Sequence, residues 1–200
     1  MTTGDGVELS AAVPDGPEDR QVFRLAQLTL LLEVAGEEQA PIRSVDRLGF
    51  YDFFSANPFV VLSGDDRRDV ADRLTLRLAG FSDRQLSYAS TGQRFASRRR
   101  RLQHDLSLLV AYGLVTIESG SYELTMIGGA LAERLTSVYA DAYREAARVV
   151  LKRLKRLSDN NLKKNAEEWL GKSWLLIDVL DDVAETTPGI AGRRESASRG

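Results

Sequence analysis

No cysteine occurs among the 200 residues, so disulfides and thiolate metal sites are excluded by composition, and the reducing cytoplasm is the compartment that fits. The single histidine, His104, cannot supply a multi-histidine metal centre, and as a general base it would need a nucleophile at suitable geometry. No stretch reaches the roughly 18 consecutive apolar residues that cross a bilayer. The first 20 residues, rich in Gly, Asp, Glu and Pro, lack the positive start and apolar run of a secretory signal. The phosphate-gripping GxxxxGK[ST], the dinucleotide GxGxxG, the zinc-protease HExxH and the calcium-loop pattern are all missing, which removes the strongest signals for an ATPase, a dehydrogenase or a metallohydrolase. No enzyme, cofactor or metal is therefore expected.

What the chain does contain is apolar surface and locally segregated charge. Its 43% apolar composition supports one substantial core, or a core with a small helical annex. The 27 basic and 29 acidic side chains nearly cancel to a formal −2, but they are not evenly spread. Arg98, Arg99, Arg100 and Arg101 are consecutive, Lys152, Arg153, Lys155 and Arg156 form a second basic cluster, and Asp65, Asp66, Asp69 and Asp72 give an acidic stretch ahead of both. Local fields of both signs suit protein docking, with nucleic acid as a narrower reading.

Along the chain, glycine and proline make residues 1 to 19 a disordered arm. The spacing then predicts a helix over 22–34 with Leu25, Leu28 and Leu32 on one stripe, broadened by Leu30 and Leu31 into a surface for deep burial or subunit contact. A second helix is predicted over 44–56, capped by Ser44 and ended by Asn57-Pro58, with Phe50, Phe53 and Phe54 as a packing centre. Residues 59–62 read as a short extended piece. Ser63-Gly64-Asp65 reads as a turn into a helix over 66–79, with Val70, Leu74 and Leu78 as its buried face and Gly80 as its stop.

The most informative part begins near Gly92. A helix over 96–112 with Leu102, Leu106, Leu109, Val110 and Gly113 inward runs into a hairpin, 114–117 and 122–124, turning at Ser119-Gly120. A helix from Met126 through Val138 follows, with Gly128 and Gly129 explained by close packing after the wing. Helix, hairpin, helix predicts a mainly α fold with a winged-helix domain over 20–138. Periodicity continues to Leu157 as one long helix, or two with a break near Tyr139, long enough for a bridge or oligomer arm. Another helix is predicted after the cap at 158–161, with Trp169 and Trp174 in packing or interface roles, and residues 139–185 form a C-terminal helical extension for packing or docking. The tail, 186–200, reads as disordered.

With Leu102 inward and 100° per residue, Arg98 points near the buried side, Arg99 and Arg101 lie on opposite flanks and Arg100 faces outward. If the hairpin is the wing, this helix holds the recognition position, presenting Arg100, Gln103, His104 and Ser107. DNA contact, docking to a partner's carboxylates and simple solvation are all open to Arg99, Arg100 and Arg101, as to Lys152, Arg153, Lys155 and Arg156. The four aspartates, interleaved with Arg67, Arg68 and Arg73, read as a salt-bridged surface with helix-start acids rather than a metal site.

Three segments together, LGFYDFFSANPFVVLSGDD at 48–66, LLVAYGLVTIESGSYELTMIGGALAERL at 108–135 and LTSVYADAYREAARVV at 135–150, resemble the middle-component proteins of bacterial ABC three-component systems, also seen as the accessory subunit of Lamassu-type defence. Leu48, Tyr51, Phe54, Ser63, Gly64 and Asp65 match the family's aromatic helix and Ser-Gly-Asp turn. Gly113, Leu114, Tyr122, Leu131, Tyr139 and Ala147 match its hairpin and tyrosine-bearing long helix, in which Tyr143 also stands. The resemblance covers roughly residues 22 to 152, and the basic continuation after Leu151 and the two-tryptophan segment depart from it. It implies a non-catalytic adaptor between an SMC-like or Rad50-like ABC ATPase and an effector, often a nuclease, in defence against phage or plasmid DNA. On that reading Arg99 to Arg101 contact DNA or the ATPase. A stand-alone winged-helix regulator dimerising on an operator, and a homo-oligomer without DNA affinity, are the alternatives.

Overall fold

A computed structural model describes residues 16–82 and 91–171, and places in them seven α-helices and one two-stranded sheet. Gly16 to Asp19, read as the end of a flexible arm, form a 3-10 turn tied to the body. Arg24 donates to the Asp19 carbonyl at 2.8 Å, and the Asp19 carboxylate meets Arg101.

Helix α1, Gln21–Glu37, buries almost its whole circumference from Gln27 to Leu32, as its stripe of leucines broadened by Leu30 and Leu31 predicts, while Leu25 packs on the edge of the core. Helix α2, Val45–Ala56, is capped by the Ser44 side chain, which accepts from the Arg47 N–H at 3.1 Å. Every residue from Leu48 to Ser55 is buried. Phe50 stacks on Phe95 at 5.4 Å between centroids and Phe53 meets Phe95 edge-on at 5.3 Å. The extended piece expected at 59–62 is instead a 3-10 turn, Pro58–Val60, because proline's fixed φ suits the first position of a helical turn.

Helix α3, Arg67–Leu78, has the predicted limits, with Asp66 as cap and Gly80 at φ +103° ending it, but the opposite rotation. Leu76 and Asp69 are buried, whereas Val70, Leu74 and Leu78, expected inside, are exposed. Polar tethers set that rotation: Asp69 accepts from the Gly64 N–H at 2.8 Å and pairs with Arg153 of helix α6 (below), and Arg73 donates to the Leu62 carbonyl at 2.8 Å. Helix α4, Thr91–Ala111, turns Leu102, Leu106 and Leu109 inward as expected, but leaves Val110 exposed. Gly113, at φ +69°, then supplies the left-handed residue after its end.

Strands β1, Val115–Glu118, and β2, Ser121–Leu124, pair antiparallel with Val115 opposite Leu124 and Ile117 opposite Tyr122. Ser119 and Gly120 both take positive φ, the geometry of a two-residue hairpin turn. On its other side β2 bonds to the loop between α1 and α2, the Tyr122 N–H donating to the Ile42 carbonyl at 2.9 Å. Helix α5, Met126–Arg134, starts at the Thr125 cap, and the helical run expected to reach Val138 breaks at residues 135–137 before helix α6, Val138–Leu154, capped by Ser137. Helix α7, Asp159–Leu170, follows the Ser158 cap.

α6 is not an arm. Its face of Tyr143, Ala146, Ala147, Val150, Leu151 and Leu154 is buried against α1 and α2, the small alanines allowing close approach. Val138, where the helix begins, is exposed, and the buried stripe starts at Ala140. One hydrophobic cluster takes in α1, α2, α4, α6 and α7, so the helices after residue 138 share the core of those before it. The architecture is mainly helical with a short antiparallel hairpin, a winged-helix-like arrangement in which α4 runs directly into the wing.

Candidate functional site

Most of the basic side chains singled out in the sequence are engaged within the fold. Arg98 turns inward, as its position relative to Leu102 requires, and donates to Asp52 Oδ1 at 2.7 Å and Gln27 Oε1 at 2.6 Å. Gln27 in turn donates to the Tyr139 hydroxyl. Burial works against the Arg98 charge, but the Asp52 carboxylate beside it outweighs that and raises its pKa above the ordinary value. Burial likewise raises the Tyr139 and Tyr143 hydroxyls. Tyr139 packs on Phe23 at 5.1 Å, and Tyr143 is fully buried.

On the two flanks, Arg99 reaches Asp46 at 2.7 Å and Arg101 reaches Asp19 at 3.0 Å. In the second cluster, Lys152 and Lys155 pair with Glu38 at 3.4 and 3.5 Å, and Arg153 pairs with the buried Asp69. Arg156 is exposed without an ion-pair partner among the described residues. The acidic stretch is consumed in the same way: Asp66 caps α3, Asp72 lies 3.9 Å from Arg68 and Asp65 lies 3.9 Å from Arg73. No group of carboxylates or histidine that could hold a metal is found among the described residues.

The sequence reading missed Asp105. It sits three residues after the inward Leu102, hence on the buried side of α4, and accepts from Arg24 at 2.6 and 3.0 Å, which fastens α1 to α4 through a two-toothed pair. That a carboxylate stood at inward spacing was a usable signal. Its partner, 81 residues away, was not legible.

The Arg153–Asp69 pair makes a pH prediction. The hydrogen bond from Arg153, opposed by burial, holds the Asp69 carboxyl below its ordinary 3.8. A depressed folded-state pKa stabilises above the unfolded value and loses that contribution as pH falls through the folded one. An Arg153→Met chain is therefore expected to lie below the parent in urea midpoint at pH 6, with the gap closing below about pH 4. An equal gap at pH 6 and pH 3 would show that the pair is not the cause.

The outward face of α4 carries Arg100, Gln103, His104 and Ser107, the four side chains placed there by the sequence. His104 Nε2 lies 3.2 Å from Gln21 Nε2, and the Ser107 hydroxyl donates to the Gln103 carbonyl at 2.8 Å. Beyond them the surface becomes apolar. The Thr125 hydroxyl donates to the Gly113 carbonyl at 2.6 Å and the Thr125 N–H to the Leu114 carbonyl at 3.0 Å, which brings the start of α5 against the end of α4. At this junction Met126 is 90% exposed, Ile127 64% and Tyr112 61%, with Val110 on α4 and Ile117 on the wing also exposed. The wing adds Glu118 at its tip and Glu123 on β2, both exposed. Trp169 meets Phe54 edge-on at 5.4 Å, whereas Trp174 lies outside the described residues.

Fold and surface together define a mainly helical, winged-helix-like protein whose recognition-position helix leads into an apolar, acid-tipped wing. Residues 85–175, which take in α4, the hairpin and α5 to α7, match the model of the ABC-three component (ABC-3C) system Middle Component 2, so the chain carries a middle-component domain of that family. Comparison with the curated proteins and with solved structures returns no match. The matched span contains Gly113, Leu114, Tyr122, Leu131, Tyr139 and Ala147 of the resemblance, but not its aromatic helix and Ser-Gly-Asp turn at 48–65. It also continues through the basic cluster and both tryptophans, which the resemblance had set apart. The family supports a general, non-catalytic adaptor role in an ABC-3C system. No helix of the described residues is long and apolar enough to cross a membrane.

Proposed function

We propose that this chain couples an SMC- or Rad50-like ABC ATPase to an effector, of nuclease class, in defence against phage or plasmid DNA, and that the surface formed by α4, the wing and the start of α5 docks a protein partner. The carrying observation is the character of that surface. Large apolar side chains, Tyr112, Ile117, Met126 and Ile127, stand exposed around the wing, while Arg98, Arg99 and Arg101 are held by acids of this same chain. Exposed apolar clusters of this kind mark interaction surfaces. A phosphate backbone needs cations presented outward, and the wing presents Glu118 and Glu123 instead.

The test is co-expression with the genomic neighbours followed by affinity purification. A Met126→Asp/Ile127→Asp chain is expected to keep its fold and lose the ATPase, a weakening of about 2 kcal/mol or more for a central apolar anchor. Replacing Arg100 and Gln103 by Glu should weaken the complex less. Retention of the ATPase by the apolar variant, or duplex-DNA binding by the isolated chain with a steep salt dependence lost on Arg100→Glu, would favour the DNA-contacting reading of α4.

A further inference from the structure

Helix α3 carries an apolar stripe that its own fold does not use. Val70, Leu74 and Leu78 follow each other at helical spacing of four and are 51%, 56% and 81% exposed, while the opposite side, through Asp69 and Leu76, enters the body. A stripe at this spacing ordinarily faces a core. Here the tethers through Asp69 and Arg73 hold it outward, so it fits something that the helix bundle does not provide. The exposed Arg67 and Arg77 fall within about 60° of Leu74 around the helix, which makes the ends of the stripe basic.

We propose that residues 176–183 of this same chain cover the stripe. Their sequence carries Leu176, Val179, Leu180 and Val183 at the i, i+3, i+4, i+7 spacing of a matching apolar face. Asp178, Asp181, Asp182 and Glu185 accompany them, with no Lys or Arg between Lys172 and Arg193, so the segment's charge is complementary to Arg67 and Arg77. α7 ends at Leu170, and Trp169 rests on Phe54 near the end of α2, from which the chain passes to Leu62, whose carbonyl already holds Arg73 of α3. Five residues from Gly171 to Leu176 span up to about 17 Å. Docking in cis closes the apolar face without a second molecule and leaves the wing surface free. The internal stretch 83–90 is a poorer occupant, since it offers only Leu86 and Tyr88 as large apolar residues.

The absence of cysteine makes the test clean. In the 200-residue chain a Leu74→Cys substitution places the sole thiol in the middle of the stripe, and its rate of modification by a maleimide reads whether the stripe is covered. The expected result is slow labelling that does not change on dilution, and labelling roughly tenfold or more faster when Leu176→Asp and Leu180→Asp are added, with the helical circular dichroism unchanged. Fast labelling in the single variant would overturn the proposal by showing a bare stripe. Slow labelling in both chains would overturn it in favour of another segment, and protection lost on dilution would overturn it in favour of a second copy.

Discussion

An Arg98→Ala chain is expected to lose about 3–5 kcal/mol of stability, the usual cost of leaving a buried charge without its partner. Arg98 is the hub where α1, α2, α4 and α6 meet: it holds the buried Asp52 of α2 and the carbonyl of the buried Gln27 of α1, which in turn binds Tyr139 of α6. Truncation strands a carboxylate that is 3% exposed in a region packed with Tyr143 and the α2 aromatics, where water cannot replace the guanidinium. Replacing both partners, as in Arg98→Leu/Asp52→Leu, should recover a large part of the loss, because neither charge is then left unpaired. Gln103→Ala, on the exposed face of the same helix, should stay within about 0.5 kcal/mol. Urea midpoints for the three variants decide the matter. A loss below about 1 kcal/mol in Arg98→Ala would mean that Asp52 finds solvent when the arginine is gone.

The second large effect separates two neighbouring glycines. A Cβ on Gly128 would lie 2.0 Å from the Leu114 carbonyl oxygen and 3.0 Å from its carbon, and that carbonyl also accepts from Thr125. The obstacle is backbone at the seam between β1 and α5, so Gly128→Ala must push the wing away from the helix, at a cost of about 3 kcal/mol. A Cβ on Gly129 meets nothing within 4 Å. Gly129→Ala should therefore raise stability by about 0.5–1 kcal/mol through helix propensity alone. Thermal midpoints of the two single variants should move in opposite directions, and a shared direction would contradict the packing described for this seam. Because the seam also sets the exposed Met126 and Ile127, Gly128→Ala should weaken partner binding as well as stability.

Local chemistry carried much of the fold into the sequence. Ser44 and Ser158 cap the helices they were assigned, Gly80 ends α3, and Ser119-Gly120 makes the tight turn of the wing, because each depends on neighbours within a few residues. The rotation of α3 was not legible. Three large apolar residues at helical spacing outvote one leucine in any periodicity argument, and what decides the matter is a carboxylate anchored by a loop amide and by an arginine 84 residues downstream. The same holds for the candidate site. Helical geometry gave the directions of Arg98 to Arg101 correctly, so Gln103, His104 and Ser107 emerge on the exposed face. Whether Arg99 and Arg101 were available to a partner depended on Asp46 and Asp19, far away in the chain. The exposed junction of Tyr112, Met126 and Ile127 went unnoticed for a related reason: it arises where α5 folds back on the end of α4, and no single stretch of sequence contains it.

On the proposed reading the chain's working surface lies on the wing side of α4 and is a protein interface first. The measurement that bears on this most directly is the mass of the intact assembly recovered when the chain is co-expressed with its genomic neighbours and purified under native conditions. The account predicts a stable complex containing an ABC ATPase, lost when Met126 and Ile127 are replaced by aspartate while the helical content of the chain is kept. Recovery of only a discrete homodimer that binds a short duplex would contradict it.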